Sequence, residues 1–173
     1  MSRRFLLRAA AVLALACAAP VVSSPPVQAQ ELVSGMTPFL PPPPAGWEAP
    51  MGPNVREDDN GLEPAVAQGY GPSSPNERGM YVVTINHPSP HDLAVAYPAS
   101  RPLGPNPMAP WMVTSHVKVN DLDAYLIYNQ EAGSGILQMK VGRVSVGIQG
   151  GERTPEQIVA FARTMDTDRL LKY

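Results

Sequence analysis

The residues of this chain most able to hold a ligand are its histidines and the methionines near them. His87-Pro88-Ser89-Pro90-His91 sets two imidazoles four residues apart. On a helix that spacing shares one face, but the prolines forbid the helix, so the pair would chelate as a loop. Met80, Met108 and Met112 are close in sequence, and imidazole with thioether suits copper. His87, His91 and Met80 are therefore candidate metal ligands, with copper as the candidate cofactor. The competing reading is structural: methionine fills gaps in cores, and flanking prolines suit a turn.

Nucleophilic catalysis has less to work with. The single cysteine is Cys17, and no nucleophile-elbow sequence is present. His116 alternates with Thr114 and Lys118 on the polar side of a strand pattern, which reads as an exposed face. Glu57, Asp58, Asp59 and Glu63 lack the alternating oxygen order of a calcium loop and read as a solvated turn. Gly150-Gly151-Glu152-Arg153 precedes a helix and is a weak candidate for an anion site. Trp47, Tyr97 and Trp111 flank proline-rich segments. They either pack those segments onto the domain or line a groove for a partner, a role that Trp and Tyr fill well.

These residues are carried by a chain with a marked start. Arg3, Arg4 and Arg8 precede an apolar run from Ala9 to Ala19, and Val27-Gln28-Ala29 supplies small residues three and one before a cut. That order is an export signal over residues 1–29. The run is too short to cross a bilayer, which needs about twenty residues. Ser2-Arg3-Arg4-Phe5-Leu6-Leu7 resembles the twin-arginine signal, with an ordinary secretory signal as the alternative. Cys17 follows Ala14-Leu15-Ala16, one position off the usual lipidation pattern. Three of the 13 basic residues and none of the 15 acidic ones lie in the signal, so the remainder carries 10 against 15, formally −5. An acidic domain without basic runs is a poor partner for nucleic acid or anionic lipid.

Proline divides the chain beyond the signal. Of 21 prolines only Pro155 lies beyond Pro110. Residues 30–63, with Pro41 to Pro44 in a row, read as a largely irregular proline-rich arm, with Gly46-Trp47 as the point of docking. Residues 64–173 read as one α+β domain. Ala65 to Tyr70 and Met80 to Asn86 form a hairpin, the second with Tyr81, Val83 and Ile85 on one face. Residues 87–110 make a long crossover, with one or two helical turns over Asp92 to Tyr97. Four alternating strands come next as an antiparallel meander, turning at Asn120-Asp121 and at Gly133 to Gly135, with Leu137, Met139 and Val141 inward. The predicted sheet has about five to six strands. Thr154, Pro155 and Gln157 open a helix whose stripe Ile158, Phe161, Ala162 and Met165 covers the sheet. Leu170 and Leu171 tie down the tail.

Gly46-Trp47, a hairpin, a crossover, a meander and a covering helix, in that order over residues 46–171, resemble the small PsbP and Mog1-like α+β domains. The resemblance implies an accessory or binding module. With no catalytic set in view, the expectation is an exported, non-catalytic protein of the periplasm or exterior. It would serve as an accessory or binding domain for another exported protein. A copper or small-ligand binding protein is the alternative.

Overall fold

Every second residue from Tyr81 to Ile85, Leu137 to Val141 and Val144 to Ile148 is apolar, and each run becomes a strand with that set buried. The computed structural model describes residues 35–50, 52–56, 64–87 and 103–173. The export segment 1–29, the acidic stretch 57–63, His91, Tyr97 and the turns predicted over Asp92 to Tyr97 lie outside the described residues.

The described strands are β1 (Trp47–Glu48), β2 (Asn54–Arg56), β3 (Ala65–Pro72), β4 (Met80–Asn86), β5 (Gly104–Asn106), β6 (Ala109–Val119), β7 (Leu122–Asn129), β8 (Ser134–Val141) and β9 (Val144–Gly151). They form one antiparallel sheet in the order β1-β3-β4-β9-β8-β7-β6-β5, with β2 also on β3. The hairpin β3–β4 and the meander β6 to β9 follow the sequence pattern, and pairing of β4 with β9 joins them. Five to six strands were predicted, and the described residues form nine. The extra ones, β1, β2 and β5, are two or three residues long and lie at the sheet margins among prolines. Proline is tolerated there because an edge strand leaves some N–H positions unused. β1 and β2 share one side of β3, interrupted around Pro50 and Pro53.

The Asn120-Asp121 turn has positive φ at both residues (48° and 66°), the geometry that matches strand twist in a two-residue hairpin. The following turn comes earlier than predicted: Ser134 and Gly135 already belong to β8. The helix α1 (Pro155–Ala162) begins with the expected reciprocal cap between Thr154 and Gln157. It stops before Met165, which is nevertheless buried, and a short second helix α2 (Thr167–Leu171) follows. Asn120 fixes the end of α1 by donating its side-chain amide to the carbonyls of Arg163 (3.2 Å) and Met165 (3.1 Å). In the tail Leu170 is buried, whereas Leu171 is exposed.

One face of the sheet lies under these helices and holds the core. On its central row Tyr81 pairs with Gly150, Gly150 with Gly135 and Gly135 with Tyr128. The two glycines leave a hollow between flanking tyrosines, and Ile158 fills it. A Cβ at Gly150 would lie 2.6 Å from Ile158 Cγ1, and one at Gly135 3.3 Å from Ile158 Cδ1. Full burial of an isoleucine contributes about 1.5–3 kcal/mol. Residues 35–50, from the proline-rich stretch, are seated on the same core. Met36 is fully buried, Phe39 meets Tyr173 edge-on at 5.2 Å, and the Pro41 carbonyl accepts from Tyr70 Oη at 2.7 Å.

Gly150→Ala is expected to destabilise the domain by about 1–3 kcal/mol through overpacking against Ile158. Ile158→Ala alone should also destabilise it. The two losses should combine to clearly less than their sum, because the smaller side chain makes room for the new methyl. Denaturant unfolding of the four proteins measures this coupling, and strictly additive losses would rule out the hollow.

Candidate functional site

Seating Ile158 brings the next turn of α1 over the β3–β4 end of the sheet. There Phe161 stacks on Tyr81 with centroids 4.1 Å apart and meets Tyr70 edge-on at 5.4 Å. Trp47, delivered by β1, extends the stack onto Tyr81 at 5.3 Å. The chain before Trp47 runs as Pro42, Pro43 and Pro44 across from α1. Between proline wall and helix lies an open groove of about 500 Å³. Tyr81, Trp47 and Arg153 line it together with Gln157, Ala160, Phe161 and Thr164.

Arg153, named in the sequence only within a weak anion-site candidate, lines the groove, whereas Tyr81, Phe161 and Gln157 were not put forward as site residues. Its guanidinium carbon lies 4.3 Å from the centre of the Trp47 ring, a cation–π contact. Its Nη2 donates to the Arg78 carbonyl at 2.5 Å and stands 3.7 Å from Glu77 Oε1, which accepts from Trp47 Nε1 at 3.1 Å. Arg153 Nε is buried with no hydrogen-bond partner among the described residues, although the side chain as a whole is 11% exposed. The guanidinium fits because position 79 is glycine: φ is +105°, and a Cβ there would lie 2.5 Å from Arg153 Nε. No local pattern around Arg153 points to Trp47, which arrives from a distant strand. The nearest signal was Gly150-Gly151-Glu152-Arg153 before the helix, a weak candidate for an anion site. The structure uses Gly150 to receive Ile158 and packs Gly151 against Met80.

Of the predicted aromatic set, Trp47 lines the groove. Trp111 lies 41% exposed on β6, beside the opposite margin of the sheet, so the structure does not bring the two together. Tyr97 is outside the described residues. Of the predicted metal set, Met80 begins β4 and His87 directly follows it, about 23 Å apart at the usual rise of a strand. His91 is outside the described residues. Among the described residues no group of three or more His, Cys, Asp or Glu side chains is placed to hold a metal ion. None of their helices is long and apolar enough to cross a membrane.

His116 lies on the sheet face away from the helices. Its Nε2 is 2.8 Å from Asp123 Oδ1, which also meets Lys118 Nζ at 2.7 Å. The hydrogen bond from Lys118 holds the Asp123 carboxyl below its usual range; desolvation opposes it and His116 adds to it. Ser115, the neighbouring hydroxyl, faces the other way, as alternation requires. The three groups form an exposed ionic cluster, as the alternation with Thr114 and Lys118 suggested.

Burial shapes the tyrosines under the groove. It pushes the Tyr70 phenol up to about 12, and it raises Tyr81 too, partly opposed by the nearby Arg153.

No family model, curated protein or solved structure matches the chain.

Tyr70 yields an alkaline test. Its folded pKa lies above the ordinary value of 10, so its contribution is complete below pH 10 and is lost as pH rises toward about 12. Tyr70→Phe should cost about 1–3 kcal/mol at neutral pH by leaving the buried Pro41 carbonyl unpaired. The variant should also lose stability less steeply than the parent between pH 10 and 12. Urea unfolding at several pH values checks both; parallel curves would refute the assignment.

Proposed function

We propose that this chain is an exported, non-catalytic accessory domain of the periplasm or exterior. It binds another exported protein through the groove beside Trp47. The observation that carries the reading is the groove itself: a mainly apolar cleft of about 500 Å³ lined by the packed rings of Trp47, Tyr81 and Phe161. Apolar clefts with few polar groups are the usual form of a binding site. Its walls are rigid, since Pro41 is tied to Tyr70 and Pro44 to the backbone of Trp47. A wall already ordered loses little freedom when a partner docks. Export is supported by the arginines, apolar run and small-residue cut of residues 1–29. The element order that resembles PsbP and Mog1-like domains agrees with an accessory role. Spacing weighs against the copper reading, because Met80 and His87 sit at opposite ends of one strand.

Two experiments test the reading. Mass spectrometry of the protein recovered from its producing cells should find a chain beginning at Gln30; a retained or differently cut signal would correct the boundary. Ala160→Arg places bulk and charge on an exposed groove position. It should abolish recovery of the partner from the exported-protein fraction while leaving the unfolding free energy within about 0.5 kcal/mol of the parent. Undiminished recovery would move the interface elsewhere.

A further inference from the structure

Strand β6 is 11 residues long, and only the first half of its outer edge is covered. β5 pairs with it between Ala109 and Thr114 and starts at Gly104, whose φ of +99° turns the chain. Across the β6–β7 ladder the Trp111 carbonyl accepts from the Gln130 amide at 2.9 Å. Backbone groups alternate in direction along an antiparallel strand, so those of Val113, Ser115 and Val117 also face β7. Those of Thr114, His116 and Lys118 then face the outer edge. Thr114 is met there by Gly104, and the Lys118 carbonyl accepts from Arg163 Nη2 at 3.2 Å. The His116 N–H and C=O and the Lys118 N–H have no backbone partner among the described residues.

A groove of about 340 Å³ follows this edge on the helix side of the sheet. Ser115 and Val117 of β6 line it with Glu156 and Val159 of α1 and with Arg163 just beyond the helix. Arg163 is exposed and makes no ion pair among the described residues. Open edge backbone beside a groove between strand and helix suits an added β-strand: main-chain hydrogen bonds hold it, and every second side chain enters the groove. A small molecule does not repeat the N–H and C=O spacing of a strand. Two copies of this chain paired edge to edge about Val117 would set His116 across from Lys118 twice, which crowds basic side chains and disfavours a second copy as the occupant.

We propose that the free half of the β6 edge is a second docking site, separate from the groove beside Trp47, and that it takes an extended segment of another protein as an added strand. The segment continues the line of β5, antiparallel to β6, and pairs with the His116 backbone. Its apolar side chains opposite Val117 and Ser115 enter the groove toward Val159. An acidic residue at its start meets Arg163.

The test titrates a fluorescein-labelled peptide of core sequence Asp-Thr-Val-Thr-Val with the mature protein and reads anisotropy. N-methylation of the second threonine, whose N–H faces His116, should weaken binding about tenfold, whereas N-methylation of the first valine, whose N–H faces away, should leave it nearly unchanged. Arg163→Gln should weaken the peptide about two- to fivefold and leave unchanged a peptide with Asn in place of Asp. Ala160→Arg, which obstructs the groove beside Trp47, should bind the peptide as the parent does, so the two sites fail separately. No binding, equal effects of the two N-methylations, or loss of peptide binding in Ala160→Arg would overturn the proposal. So would a dimer in sedimentation that the peptide disperses, which would assign the edge to a second copy of this chain.

Discussion

Ile158 seated over Gly135 and Gly150 sets the height and rotation of α1 on the sheet. The glycines are register partners, so the hollow arises from two strands at once. With α1 lowered into it, Phe161 reaches Tyr81 at stacking distance. The chain just before the helix carries Arg153 to Trp47. The groove is thus a by-product of one packing contact and inherits its rigidity. Interiors are packed densely enough that such a contact leaves few alternative placements.

The second determinant is the seating of residues 35–50. Met36, Phe39 and Pro41 fasten this stretch through the core, the Tyr173 ring and the Tyr70 hydroxyl. Proline then serves two purposes. It holds the wall extended without a sheet partner, and it keeps the backbone on that side free of donors. The same residues that deny the segment regular structure make it a fixed surface once its ends are anchored.

Much of the architecture was legible in the chain, for definable reasons. The strands with clear alternation, β4 and β6 to β9, declare both their existence and their buried face. The reciprocal cap of Thr154 and Gln157 is a local signal and marks the start of α1. The edge strands β1, β2 and β5 were not legible, because two or three residues among prolines carry no periodicity. The site was half legible. Trp47 was singled out by type, but its neighbours Tyr81, Phe161 and Arg153 come from three separate elements, and no spacing rule links them. Gly150 stood in a weak anion-loop candidate, and Gly79 carried no signal of its own. Their function is to make room for a side chain, which only a three-dimensional neighbour reveals.

The pairing of β4 with β9 has a consequence for how the molecule assembles. The meander and its covering helix are built from contacts near in sequence, whereas β4 must wait for a strand some sixty residues further on. Contacts of long sequence separation form late because their loops are costly to close. During synthesis the β3–β4 hairpin therefore emerges with an unsatisfied edge along β4, the kind of edge that recruits foreign strands. The prolines on either side of the hairpin cannot extend such a pairing, so the waiting hairpin is flanked by natural stops until its own last strand arrives.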